Sequence, residues 1–97
     1  MSEIELHAEA DEEMRAAASF YELQQAGLGE RFLDRLDEAF QSILANPIAY
    51  QTLTDKYRRR LVARFPYSVV YRAEPHRIFV LAVAHWKREP DYWKTRG

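Results

Sequence analysis

Residues 78–84 read Ile78-Phe79-Val80-Leu81-Ala82-Val83-Ala84, seven apolar side chains with no polar break. A transmembrane helix needs about 20 such residues, so this run is not one. A strand with one wet face alternates polar and apolar residues, and this run does not alternate. It is the right length for a strand covered on both faces, which belongs at the centre of a sheet. The chain has 97 residues, enough for one domain over residues 1–97 with one modest core.

The remaining periodicities say what surrounds that strand. Glu3-Ile4-Glu5-Leu6-His7 alternates with period two and reads as a short strand with Ile4 and Leu6 inward. Ala10, Met14, Ala17, Ala18 and Tyr21 then fall on one face of a helix. Asp11, Glu12 and Glu13 stand in its first turn, where the helix dipole favours acids. This helix should stop near Ala26, at Gly27. Phe32, Leu36, Ala39, Phe40 and Ile43 form the stripe of a second helix over residues 30–45, closed by Asn46-Pro47. So short a corner as Gly27-Leu28-Gly29 makes the helices an antiparallel pair. Residues 48–56 read as a loop. Residues 57–65, 67–73 and 77–84 read as three strands, with Pro66 and Glu74-Pro75-His76 at the turns. Residues 85–97 are a polar and aromatic tail broken by Pro90. The expected fold is α+β in the order β-α-α-β-β-β, an αα-hairpin on one face of a small, mainly antiparallel sheet. Its expected core holds Leu6, Met14, Tyr21, Phe32, Leu36, Phe40, Ile43, Leu61, Val69, Tyr71, Phe79, Leu81 and Val83.

Several chemistries find no support. There is no cysteine, hence no disulfide, thiol nucleophile or thiolate metal ligand. His7, His76 and His85 share no ligand spacing, so no metal and no cofactor is expected. No glycine-rich phosphate loop or nucleophile elbow is present. The first ten residues lack a basic segment followed by an apolar one, which predicts a cytoplasmic protein without a signal peptide.

The net charge of −1 conceals a division. Residues 1–55 carry twelve acids against three bases, a net of −9, and residues 56–97 carry eleven bases against three acids, a net of +8. Arg58, Arg60 and Arg64 recur at steps of two and four and would share one strand face, on which successive residues lie about 6–7 Å apart, near the phosphate repeat of a nucleic-acid strand. Arg72, Lys87, Arg88, Lys94 and Arg96 could extend this patch, with Tyr57, Trp86, Tyr92 and Trp93 interleaved. Aromatic planes beside guanidinium groups suit stacking on bases or on a partner's peptide. The competing reading is a basic face that only pairs with the acidic helices or lies under a partner chain.

Four stretches together resemble one family. They are Gly27-Leu28-Gly29-Glu30-Arg31-Phe32-Leu33-Asp34; Ile43-Leu44-Ala45-Asn46-Pro47 with Tyr50; Arg59-Arg60-Leu61-Val62-Ala63-Arg64-Phe65-Pro66-Tyr67 through Tyr71-Arg72; and Ile78 to Val83 followed by His85-Trp86-Lys87-Arg88-Glu89-Pro90-Asp91-Tyr92-Trp93. Their order and spacing resemble the toxins of the RelE/ParE superfamily, with the ParE-like branch the nearer. The resemblance implies the fold already reached from periodicity and a cognate antitoxin protein that neutralises the toxin. It also implies one of two targets: DNA gyrase for the ParE-like branch, or mRNA on the ribosome for the RelE-like branch.

Metal-free RNA cleavage needs a base, an acid and a cation on the phosphate. RNA-cutting relatives place an arginine shortly before the Val-Tyr of the middle strand, where this chain reads Tyr67-Ser68-Val69-Val70-Tyr71. His85 is the candidate acid–base residue, but Trp86 follows it where a phenol would serve, and an indole transfers no proton. Arg64 is the candidate cation. Arg58, Arg60, Arg64, Arg72, Trp86, Lys87, Arg88, Trp93 and Arg96 are the candidate target-binding set. Three functions stay open: a gyrase-binding toxin, a ribosome-dependent mRNA endonuclease, and a non-toxic member that only binds a partner.

Overall fold

The computed structural model describes residues 2–97. The elements are β1 (Glu3–Leu6), α1 (Ala8–Gln24), α2 (Leu28–Ala45), β2 (Gln51–Thr52), β3 (Arg58–Leu61), β4 (Tyr67–Ala73) and β5 (Arg77–His85), with a single 3₁₀ turn at Lys94–Arg96. They form two helices on one mostly antiparallel sheet of order β1-β5-β4-β3-β2. The expected α+β architecture is therefore observed. One strand was not expected: β2 lies inside the stretch read as a loop, and two residues are too few to show a period.

The apolar run lies in β5, with β1 parallel on one side and β4 antiparallel on the other. A bulge at Leu81 shifts the register, so that Val70 pairs with Ala82 and Tyr71 with Val80. Ile78, Val80 and Val83 consequently face the helices, and Leu81 and Ala82 face away. On the helix side they meet Phe32, Leu36, Ala39 and Ile43 of α2 and Ala10 and Ala17 of α1. Tyr71 is fully buried there, and its hydroxyl donates to the Pro47 carbonyl. A buried phenol needs such a partner, and burial pushes its pKa up.

The hairpin corner depends on two glycines and one acid. Gly27 has φ 88°, the left-handed region that glycine enters without cost. Gly29 lies where α1 and α2 approach closest, and a Cβ there would fall well inside contact distance of the Ala18 carbonyl oxygen. The Glu22 carboxylate accepts from the Gly27 amide at 2.9 Å and the Gly29 amide at 3.1 Å, satisfying the open N-terminus of α2.

The side of the sheet away from the helices is not bare. The tail turns back across it, and Trp93 lies on Val70, Leu81 and Ala82 with Tyr57 edge-on at 5.0 Å. Two core assignments from the sequence need correction. Leu61 is 45% exposed, and its neighbour Val62 takes the core position. Phe79 is half-buried on the tail side, under the guanidinium groups of Arg72 and Arg77.

Leu36→Ala should lower unfolding free energy by about 2–5 kcal/mol, because a fully buried side chain leaves a cavity. Gly29→Ala should cost about 1–3 kcal/mol by forcing the helices apart, although it adds only a methyl group. Urea melts of both variants check this, and an unchanged Gly29→Ala midpoint would deny the close approach. At the β4–β5 turn, hydrogen bonds from Arg77 and Arg72 hold the Glu74 carboxyl below the usual carboxylate range. A depressed pKa stabilises the fold above the ordinary carboxylate range and loses that contribution as pH falls through the lower folded value. The Tm difference between wild type and Glu74→Gln should therefore shrink as a pH series runs from neutral into acid.

Candidate functional site

The arginines of β3 do not share the arrangement that alternation suggested. Arg58 pairs with Tyr71 and Arg60 with Val69, both helix-facing positions, whereas Arg59 pairs with Val70 and Leu61 with Ser68, which face the other way. Arg58 thus turns inward and donates to the Tyr50 carbonyl at 2.9 Å and the Thr52 hydroxyl at 3.0 Å. Arg60 donates to the Ser42 hydroxyl at 3.0 Å and stacks over the Tyr50 ring at 5.0 Å. Both cations fasten the end of α2 and the loop after it. Arg64 lies beyond the strand, in the turn before Pro66, exposed and with φ 70°.

Placing Leu61 in the core turned Arg58, Arg60 and Arg64 outward, whereas Leu61 is the residue that faces away from the helices. Arg59, passed over for the same reason, is the strand arginine that faces outward. It donates to the Gln51 side chain at 2.9 Å and lines a cleft of about 230 Å³ with Ser68, His85, Trp86, Arg88 and Trp93. Only the pairing register with β4, not the period of β3 itself, carries this information.

The tail residues divide. Trp93 is 4% exposed and belongs to the packed interior beneath the tail. The Arg96 side chain is 8% exposed and bonded to Glu13 and to the Leu81 carbonyl. Arg72 bonds Glu74 and the Gly97 carbonyl at 2.7 Å each. These three build the fold; none presents a free head group to a large target. Trp86 is the opposite case, 57% exposed. Its indole N–H donates to Ser68 at 3.2 Å, and its backbone amide donates to the Pro66 carbonyl at 2.9 Å. The ring therefore stands as a fixed ridge. On one side lies the cleft with Arg59 and Arg88; on the other lies a groove of about 430 Å³ lined by Leu61, Arg64 and Pro66. Lys87 and Arg88 are exposed beside it, and the Arg88 guanidinium stacks on Tyr92 at 3.8 Å.

The two candidate catalytic residues are not brought together. Among the clefts of the described residues, those lined by His85 and those lined by Arg64 are different ones. His85 turns its ring edge-on to Tyr67 at 5.0 Å, beside α1. Its Nδ1 accepts from the Lys87 amide at 3.0 Å, so the neutral ring holds its proton on Nε2. Burial, followed by the nearby Tyr21 and Glu13, pushes the Tyr67 phenol up, which keeps it protonated. Among the described residues no three His, Cys, Asp or Glu side chains converge as a metal site would need, and no helix is long and apolar enough to cross a membrane.

These features can be set beside known proteins. No curated protein matches the sequence. A solved structure described as "Chromosomal ParDE TA system from P. aeruginosa" superposes with a TM-score of 0.74 at 18% identity, covering 88% of this chain and 95% of that one. At that identity the likeness speaks for the fold. The family model described as "ParE toxin of type II toxin-antitoxin system, parDE" matches residues 4–90. That span runs from β1 through the Trp86 ridge, and the chain belongs to the ParE family of type II toxin–antitoxin toxins.

Proposed function

We propose that this toxin acts by docking on DNA gyrase through the Trp86 ridge, and that a cognate antitoxin encoded alongside silences it. The carrying observation is the indole of Trp86 seated on Ser68. RNA-cutting relatives use that stretch of the middle strand for an arginine. Here a small hydroxyl occupies it and serves as a rest for an exposed aromatic ring. The ridge combines Trp86 and Leu61 with the cations Arg59, Arg64, Lys87 and Arg88. Large aromatics and arginines are the usual anchors of protein interfaces. Ring and stem are held by Ser68 and Pro66, so little entropy is lost on docking.

The antitoxin reading rests on the family and on the solved relative, which is described as a paired ParDE system. An acidic antitoxin segment suits the exposed Arg64, Lys87 and Arg88, and its association should weaken as salt rises.

One observation favours the endonuclease alternative: His85 borders the same cleft as Arg59 and Arg88. An imidazole and two guanidinium groups could serve a phosphodiester. The cleft also holds Glu89 and Asp91, which oppose a polyanion, and its only strand cation is bonded to Gln51.

Induction without antitoxin, read by gyrase supercoiling and by mapping of mRNA ends, separates the two. The expected result is lost supercoiling and intact mRNA. Trp86→Ala should weaken supercoiling inhibition by about thirtyfold or more, on the order of 2 kcal/mol or above for an anchor residue. His85→Ala should leave toxicity in place, whereas loss of a general acid or base would cost about 10²–10⁴ in cleavage rate. Codon-phased cuts that vanish in His85→Ala would reverse the assignment.

A further inference from the structure

Strand β1 pairs with β5 only as far as Leu6 opposite Val80, and the His7 amide makes the last backbone bond, to the Val80 carbonyl at 2.9 Å. The chain then leaves for α1, and among the described residues the edge of β5 beyond it has no strand neighbour on that side. Two side chains take the place of one. The Arg96 guanidinium donates to the Leu81 carbonyl at 2.9 Å, and the Glu13 carboxylate accepts from the Val83 amide at 3.0 Å. An adjoining strand would offer the same donor and the same acceptor.

The two groups are also bonded to each other, by both Arg96 terminal nitrogens at 3.0 Å. The Tyr92 hydroxyl donates to Glu13 at 2.7 Å, and Arg88 stands 3.7 Å away. With the Val83 amide, these bonds use the four lone-pair sites of one carboxylate. Burial and then the Glu13 hydrogen bond push the Tyr92 phenol well up, so it stays a donor. Glu13 springs from α1 on one side of the sheet, while Tyr92, Trp93 and Arg96 lie on the other.

Backbone bonding does not hold the tail. Among the described residues its amides after Trp86 bond to groups two or three residues back: the Lys87 amide to the His85 ring, and those of Arg88, Tyr92, Lys94 and Arg96 to the carbonyls of His85, Glu89, Asp91 and Trp93. Asp91 adopts φ 65°, a strained value outside glycine. Side chains alone keep Asp91–Gly97 in place: Trp93 packed on the sheet, Arg72 on the Gly97 carbonyl, and the Glu13 cluster. This strap follows the last residue matched by the family.

We propose that Glu13 is a clasp that reaches round the sheet edge, locks the strap on the far face, and thereby positions the Trp86–Arg88 ridge. The functional half rests on the target surface proposed above. The link to the ridge is direct: Arg88 stacks on Tyr92, which Glu13 holds, and Trp93 forms the far wall of the Trp86 cleft. A buried pair adds little net stability, but loss of one partner is costly for the other: without the Glu13 charge, buried Arg96 keeps only the exposed Glu9 carboxylate, at 3.1 Å, and the Leu81 carbonyl. Removal of one charge therefore frees the strap without touching the helix-side core.

The test uses the full chain. Glu13→Gln keeps the shape but removes the charge and turns an N–H donor towards Arg96. Glu12→Gln, on the exposed side of α1, is the control. In a Trp86→Phe background, Trp93 is the sole tryptophan and reports the strap. Glu13→Gln should shift its emission to the red and raise acrylamide quenching several-fold. Tryptic cleavage after Lys94 should accelerate about tenfold, and exchange of the Lys87 amide should quicken, with the far-ultraviolet dichroism unchanged. With Trp86 restored, Glu13→Gln should lose gyrase inhibition by about tenfold. A Trp93 that stays shielded in Glu13→Gln overturns the clasp. A freed strap with unaltered Lys87 exchange and unaltered inhibition overturns the positioning role. If wild type leaves gyrase untouched, the target reading falls, while Trp93 shielding and Lys87 exchange still decide the clasp. If Glu13→Gln loses its helical signal, Arg96→Gln, which breaks the same cluster from the strap side, is judged by the same measurements.

Discussion

A strand that is apolar on both faces has to be covered twice, and the arrangement of this molecule follows from how β5 meets that demand. On one face the covering is generous. Two helices bring Ala10 and Ala17 of α1 and Phe32, Leu36, Ala39 and Ile43 of α2 against Ile78, Val80 and Val83. On the other face the C-terminal strap does most of it, laying one large side chain, Trp93, over Val70, Leu81 and Ala82, with Leu53 and Tyr57 beside it. The bulge at Leu81 shapes this division, since it sets the neighbours Leu81 and Ala82 on the same face, under Trp93, and returns Val83 to the helix side.

This double cover explains the different fates of the two tryptophans. Trp93 is large enough to seal the thin side of β5, and once buried it has no surface to offer a target. Trp86 follows the end of β5, and its ring, flanked by Leu61 and Pro66, stays 57% exposed. Its amide and indole are nevertheless held, by Pro66 and Ser68, so it is exposed without being loose. Exposure together with fixity separates a docking anchor from a core residue, and residue type alone carries neither.

The charge split resolves in a similar way. The acidic N-terminal half and the basic C-terminal half meet at specific points: Glu13 with Arg96, Glu5 with Arg77. Arg58 and Arg60 spend their donors on Tyr50, Thr52 and Ser42. The cations that gather around Trp86 are a different set from the one alternation suggested: Arg59, Arg64, Lys87 and Arg88. The competing view of the basic residues, pairing with the acidic helices, is thus right for some of them and wrong for others.

Helix and strand order, the hairpin corner at Gly27–Gly29, the central position of β5 and the family resemblance were legible in the sequence. Each depends on local spacing: a period near 3.6 or 2, a glycine at a left-handed φ, or an unbroken apolar run. Leu61 and Arg59 were misplaced because alternation says that neighbours point apart and does not say which of them points inward. The register against β4 decides that. Two-residue β2 left no period to read. Trp93 and Arg96 looked like surface anchors because a polar tail shows no pattern of its own. Their burial comes from partners far along the chain, Val70, Leu81 and Glu13. Local periodicity determined which elements form and in what order. Tertiary contact decided which face each element turns inward, because burial is a property of the neighbour as much as of the residue.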